Sequence, residues 1–416
     1  MKSYNDALKI LKKSSIKISD EFVKSVDSLN RICSENIYSN YNYPSVNNSS
    51  LDGFAINSRD TNGISKKKFK RFKIIGSISA GSKPFKNSLK KGQAVEIMTG
   101  GILPRGSNSI IPIEKCSLIK DTKNNYILIK QKLKKFENVR FKGSDFKKKD
   151  LLIKKNTLIN SNHIMAFKAL GVAKIKVKKK INIIFFSSGN EISEDNHIPY
   201  WKIRNSNHDY IKSLKNNFLF NFKNSGILRD KDEKKFYNKI QKILKSQTDI
   251  IITSGGVSKG KFDFIPLIIK KFKLSKFFKD VALRPGKPIL FAKIKNKQKV
   301  IFGLPGNPMS SAACFRFFVY PYISNLLGLK NEKPFKAVLK NEFTKKKNFT
   351  RFAKSKINTT KNGKLEVEIL KGQESFRIKS FVKSNIWTLL PSGKSRFRKG
   401  EIIDCYLPNY SNQTLI

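Results

Sequence analysis

The sequence predicts a multidomain chain with a three-layer α/β domain, a small β-rich domain inserted before it and a β-barrel-like domain after it. Three observations carry this reading. From residue 181 strand-like apolar runs alternate with helical patterns. From 69 to 119 short strands alternate with Gly and Pro turns, and after Gly328 the chain is strand-rich again. The expected boundaries are 1–44 with 138–177 as a mixed helical linking domain, 45–137 as the insertion, 178–328 as the α/β domain and 329–416 as the barrel-like tail.

Taken in order, residues 3–12 place Ala7, Leu8 and Leu11 on one face and predict a short helix. L-D-G-F-A-I at 51–56 reads as a turn feeding a strand. F-K-I-I-G-S-I, A-V-E-I-M-T and S-I-I-P-I-E follow as the strands of the insertion. A helix is expected from Ser161 to Leu170, stopped by Gly171. I-N-I-I-F-F from 181 shows no polar alternation, as in a strand buried on both faces. Asn205-Ser206-Asn207 can cap a helix carrying Ile211, Leu214 and Phe218. Helices are also expected over 232–245, over 265–272 behind Pro266, and from Pro308 to Leu327. D-I-I-I-T, V-A-L, I-L-F-A-K-I and V-I-F-G-L-P supply strands between them. K-A-V-L, L-E-V-E-I-L, I-W-T-L-L-P and I-I-D-C-Y-L build the tail.

Composition narrows the function classes. A net charge of +55 over 416 residues invites a polyanion partner, but lysine is spread evenly in short runs such as Lys66-Lys67-Lys68 and Lys345-Lys346-Lys347. That pattern fits a solvated basic surface, and no nucleic-acid-binding motif accompanies it. Cys33, Cys116, Cys314 and Cys405 form no CxxC pair, so neither a zinc site nor a disulfide framework is expected, and a reducing cytoplasm fits. With only His163, His197 and His208, a His-ligated metal or a Ser-His-Asp triad is not expected. Neither a signal peptide nor a membrane span is expected.

The chemistry concentrates in residues 249–310, where three apolar runs stop at Gly, Pro and small polar residues: T-S-G-G-V-S-K-G-K-F-D-F, L-R-P-G-K-P and G-L-P-G-N-P-M-S. A buried strand ending in a glycine turn exposes backbone N–H groups that suit phosphate. Three such loops at one sheet edge would line an anion pocket with Ser254, Gly255, Gly256, Ser258, Asp263, Arg284, Lys287, Pro305, Asn307, Pro308 and Ser310. Arg284 and Lys287, held by Pro285 and Pro288, read as a cation clamp or as a stiff exposed turn. Asp263 and Asp230 read as Mg²⁺ ligands or as helix caps. Ser310 would sit near the helix N-terminus opened by Pro308. Glu191 follows Gly189, Asp52 and Thr99 directly precede glycines, and each has a plain turn reading beside the functional one.

The ordered set L-D-G-F-A, I-M-T-G-G-I-L-P-R-G, R-F-K-G-S-D, S-S-G-N-E, I-R-N-S-N, I-L-R-D and the three loops above resembles the molybdopterin molybdenumtransferase family over residues 1 to about 410. The resemblance implies that the α/β unit is a molybdopterin-binding domain within an elongated four-part homodimer. It implies insertion of molybdate into adenylylated molybdopterin with release of AMP, dependent on Mg²⁺, in a cleft completed by the partner's β-rich region. Carried over by position, Asp230, Asp263 and Glu191 would surround the metal and nucleotide. Arg284, Lys287, Ser310, Arg351 and Ser375 would meet molybdate or phosphate. Asp52, Thr99, Arg140 and Asp145 match motifs of the cleft or dimer region. A molybdopterin adenylyltransferase would supply the substrate, and molybdoenzymes would take delivery. Asn190 replaces a family acid, Arg284 a family lysine and Leu51 a family methionine, while Lys259 adds a cation. Two rivals stand beside this reading. One is a non-catalytic molybdopterin-binding scaffold, suggested by Asn190, and the other a non-specific nucleic-acid binder, suggested by charge alone.

Overall fold

The computed structural model describes residues 1–65, 68–121, 124–215, 220–229, 232–256 and 271–408. The helix expected over 265–272 falls almost wholly outside them, as do Phe218, Asp230, Ser258 and Asp263.

The α/β domain is built on a six-stranded sheet in the order Phe220–Leu228, Ile181–Ser188, Ile250–Ser254, Val300–Leu304, Leu290–Ile294, Leu274–Lys279. The first four strands are parallel, Leu290–Ile294 runs antiparallel to them, and Leu274–Lys279 runs antiparallel to Leu290–Ile294. Its two faces explain the unbroken apolar runs. Ile183 and Phe185 point to one layer with Ile250, Ile252, Phe302 and Ile211, whereas Ile184 and Phe186 point to the other with Phe236, Ile240 and Ile243. Helices Ser206–Ser213 and Glu233–Leu244 thus cover opposite faces, giving three layers. The helix expected from Pro308 to Leu327 is one run of three parts: Pro308–Cys314, a π-helical turn Phe315–Val319, and Tyr320–Leu326.

The tail closes into a five-stranded barrel. Thr350–Thr359 pairs with Leu365–Ile369, which pairs with Phe335–Leu339, then Ile402–Tyr406, then Ile386–Leu390, which returns to Thr350–Thr359. Strand Thr350–Thr359 was missed from sequence. A sixth, two-residue strand, Leu283–Arg284, leaves the α/β domain to pair parallel with that strand, setting Leu283 opposite Thr350 and Arg284 opposite Arg351. Aromatic packing fixes the same junction. Phe317 of the π turn stacks on Phe352 at 3.8 Å, and Tyr4 meets Phe318 and Phe352 edge-on at 5.4 and 5.2 Å. The N-terminal helix Tyr4–Lys12 therefore packs on the α/β core, through Ala7 and Leu11.

The insertion is a six-stranded sheet ordered Ser109–Pro112, Gly53–Ile56, Gln93–Ile97, Lys70–Ile78, Asn125–Ile129, Cys116–Lys120. The linking region pairs Asp20–Lys24 with Lys174–Lys178 and carries helix Ser161–Ala169. Asn160 and His163 form a reciprocal cap at that helix start, which gives one of the three histidines a structural role. All four cysteines are free thiols. Among the described residues no helix is long and apolar enough to cross a membrane.

Candidate active site

The carboxyl ends of the parallel strands and the near rim of the barrel enclose a cleft of about 980 Å³. Its floor follows from strand ends. Strand Ile250–Ser254 delivers Ser254, Gly255 and Gly256, and strand Val300–Leu304 delivers Pro305, Gly306, Asn307 and Pro308. Gly255 adopts φ +89°, and a Cβ there would lie 2.3 Å from the Ser188 carbonyl oxygen, so only glycine fits this turn. Asn207 ties the two loops together, its Nδ2 donating to Ser254 Oγ at 2.8 Å and to the Gly306 carbonyl at 2.7 Å. Pro308 opens the helix, and Ser310 is buried in its first turn.

One wall is cationic. Arg284 and Lys287 reach the cleft from the 281–289 turn, where the Lys287 carbonyl accepts the N–H groups of Val281 and Ile289. Gly286 between them has φ +106°, and a Cβ would meet Cys314 Sγ at 2.5 Å. Strand pairing sets Arg351 beside Arg284. Burial, and then the charge of Arg284, pushes the Arg351 pKa below its ordinary value. Its Nη2 donates to the Gln373 carbonyl at 3.0 Å, while its buried Nε–H has no partner among the described residues. Two adjacent guanidiniums, one with an unused donor, favour an oxyanion between them.

The facing loop brings Gln373, Glu374 and Ser375. Asn307 Nδ2 donates to Ser375 Oγ at 3.0 Å, and the Met309 N–H donates to the Ser375 carbonyl at 3.2 Å. At the far end, Glu191 lies on the 189–192 turn against Gly189, and Arg229 Nη1 holds that turn through the carbonyls of Gly189, Asn190 and Ile192. Glu191, Ser254, Gly255, Gly256, Arg284, Lys287, Pro305, Asn307, Pro308, Ser310, Arg351 and Ser375 thus share one cleft. Sequence reasoning missed the parts of Arg204, Asn205, Asn207, Phe343, Thr344, Gln373 and Glu374. The quoted motif I-R-N-S-N already held three of them, and Gly372 just before Gln373 and Glu374 was a turn signal left unused.

Asp52, Thr99, Arg140 and Asp145 do not line this cleft. Asp52 Oδ1 accepts from Thr99 N–H at 2.6 Å and Thr99 Oγ1 at 2.8 Å, which holds the carboxyl below its usual range. Arg140 donates to the Ser50 carbonyl at 3.2 Å. The Asp145 N–H donates to the Tyr43 carbonyl at 3.1 Å. The first three gather on the insertion and its connection, and Asp145 lies on the following turn.

No group of three His, Cys, Asp or Glu side chains that could hold a metal occurs among the described residues. Glu191 is the one expected metal ligand they include. A single carboxylate with hydroxyl and carbonyl oxygens nearby suits Mg²⁺ in type, because that ion keeps several waters and uses one or two carboxylates with substrate phosphates.

Comparison with known proteins agrees with this architecture. Residues 2–171 match the family model of the MoeA N-terminal region (domains I and II), 184–325 that of a probable molybdopterin binding domain, and 336–407 that of the MoeA C-terminal region (domain IV). The chain is 32% identical over 408 residues to a molybdopterin molybdenumtransferase of Staphylococcus epidermidis, covering 97% of this chain and 95% of that one. It is 34% identical over 385 residues to the protein of the same name from Staphylococcus aureus (strain COL), covering 91% and 89%. The crystal structure of a molybdopterin biosynthesis MoeA protein from Pyrococcus horikosii is similar throughout, with a TM-score of 0.82, 27% identity and coverage of 98% and 99%.

Proposed function

The chain belongs to the molybdopterin molybdenumtransferase (MoeA) family, and from that premise we propose that it inserts molybdate into adenylylated molybdopterin, releases AMP and forms molybdenum cofactor. The observation that carries the reading is one cleft uniting a three-cation wall, Arg284, Lys287 and Arg351, with two glycine-bearing strand-end loops. Molybdate is a tetrahedral dianion. Arg351, with its unused Nε–H, and Arg284 would hold its oxygens, and Ser310 and Ser375 would add hydroxyl donors. Gly255 and Gly256 let a phosphate approach the backbone closely. Fixed cations favour the charge that develops as the phosphoanhydride breaks, so no side-chain nucleophile is needed.

Glu191, with Asp230 and Asp263 placed by sequence alone, would hold Mg²⁺. The metal would supply charge neutralisation at the anhydride phosphates. Asp52, Thr99, Arg140 and Asp145 would serve the cleft of a second subunit in a homodimer. We place the reaction in the cytoplasm, between a molybdopterin adenylyltransferase that makes the substrate and molybdoenzymes that receive the product. Asn190, at a family acid position, supports the rival reading of a non-catalytic binding module.

The test is incubation of the purified protein with adenylylated molybdopterin, molybdate and Mg²⁺, following AMP and metal-loaded pterin. Molybdate-dependent AMP release with metal insertion is expected. Tight pterin binding without turnover would establish the binding module instead, and absence of pterin binding would overturn both readings.

A further inference from the structure

One buried cation beside the cleft has no part in the chemistry above. Lys354, on the barrel strand Thr350–Thr359, is 2% exposed. Its Nζ donates to the carbonyls of Gly372 at 2.8 Å, Glu374 at 3.2 Å and Arg377 at 3.0 Å. An ammonium has three donors, and here all three converge on one loop. The backbone of Lys354 grips the same loop: its N–H donates to Gln373 Oε1 at 3.1 Å, and its carbonyl accepts from Gln373 Nε2 at 2.8 Å. Ser380 Oγ adds a second donor to the Gly372 carbonyl at 2.6 Å. Among the described residues no side-chain carboxylate is hydrogen-bonded to Nζ, so carbonyl dipoles make all the direct bonds to a charge that is costly to bury.

We propose that Lys354 is a positioning residue for the cleft: its ammonium shapes the 372–377 loop so that Gln373, Glu374 and Ser375 face the substrate. The loop in turn contacts the cleft floor through Ser375, by Asn307 Nδ2 and the Met309 N–H, and supports Arg351 through the Gln373 carbonyl. Moving one buried amine would therefore disturb the molybdate contacts without touching molybdate. The link to molybdate rests on the function proposed above, whereas the loop's dependence on Lys354 does not.

The device is pH-dependent. Burial brings the Lys354 pKa down to about 8, with Glu374 of the loop opposing that shift and Arg351 of its own strand and Arg377 of the loop adding to it. The charged form, with three donors, prevails below that value. An exposed lysine keeps its proton to higher pH, so the closed loop gains stability as pH rises through that value, the charge that is costly to bury being lost while the neutral amine still has two donors for the carbonyls.

The experiment compares the full-length protein with Lys354→Met and Lys354→Gln. Two readouts are hydrogen exchange of the 371–377 amides at pH 7 and 9, corrected for intrinsic rates, and the molybdate dependence of AMP release. In the variants the loop amides should exchange roughly tenfold faster and the molybdate KM should rise about tenfold or more, with exchange in the remaining barrel strands unchanged. In the wild type the loop exchange should slow and the molybdate KM should fall between pH 7 and 9, and in Lys354→Met both steps should vanish. Unchanged loop exchange in the variants, or a step that persists in Lys354→Met, would overturn the inference. If the variants fail to fold, the wild-type exchange step alone decides, its absence overturning the inference. A wild-type protein without turnover would count against the proposed function and leave the exchange result to decide this inference.

Discussion

Replacing Arg351 by Met tests the anion site directly. The substitution keeps an unbranched chain of similar reach and removes the guanidinium. Arg351 is half-buried, and the desolvation of its partnerless Nε–H is already incurred in the free protein. A hydrogen bond between a charged group and its ligand contributes about 1.5–3 kcal/mol net. The bare attraction between unit charges about 4 Å apart near a protein surface is of similar size, about 4 kcal/mol. Because Arg284 and Lys287 remain to share the dianion, the lower figures apply, and they correspond to a roughly 10- to 150-fold rise in the molybdate KM. Arg351→Lys should fall between, since it keeps the charge and loses the planar fork. The assay is AMP release at fixed adenylylated molybdopterin with molybdate varied, beside calorimetry of pterin binding, which should hold within about twofold. A molybdate KM within twofold of wild type in Arg351→Met would refute the assignment. So would an equal loss of pterin affinity, which would point to a phosphate contact instead.

Three further outcomes are expected. The Arg316 guanidinium, 2% exposed, holds Glu332 through two bonds of 2.6 and 2.7 Å beneath the barrel. Arg316→Met should cost about 3–5 kcal/mol in urea unfolding, with much of it recovered by adding Glu332→Leu, and an additive double mutant would contradict this. Gly255→Ala should abolish turnover and lower stability by at least about 2 kcal/mol, given its left-handed φ and the Ser188 carbonyl in the way; near-normal melting and activity would show that the turn can relax. Thr99→Val removes the hydroxyl donor and keeps the backbone N–H, the larger cause, so it should return the Asp52 carboxyl only part of the way toward its ordinary value in an NMR titration. Because the folded value is depressed, the stability this contact contributes is present above about pH 4 and lost as pH falls through the folded value. An unmoved Asp52 titration would rule out the Thr99 hydroxyl as a contributor.

Legibility in the sequence followed the physics of burial. The runs I-N-I-I-F-F and D-I-I-I-T announce strands because both faces of each are covered, and the glycine turns after them announce the site. Strand Thr350–Thr359 escaped notice because Arg351, Lys354 and Ser355 break its apolar alternation. Lys354 and Ser355 are nonetheless buried, their polar groups met by the 372–377 loop and by Thr388. That partnership is tertiary and leaves no local signal. Strand Phe220–Leu228 was not anticipated, since Asn221, Lys223 and Asn224 interrupt it at an edge of the sheet where polar residues are tolerated. Gln373 and Glu374 join the cleft for the same tertiary reason, whereas Ser375 and Arg351 were placed by family resemblance and not by any pattern in their own segments.

The two-residue strand Leu283–Arg284 ties the cleft walls mechanically. One wall's cation pair sits on a ribbon whose neighbours in sequence belong to the α/β domain and whose neighbours in space belong to the barrel. Swinging the barrel outward would unzip that pairing, part the stacked Phe317 and Phe352 rings and pull Tyr4 from its niche. The two walls therefore move as one rigid jaw. Separating them would break the ribbon pairing and the aromatic contacts together, so a change at this one seam alters both walls of the cleft at once.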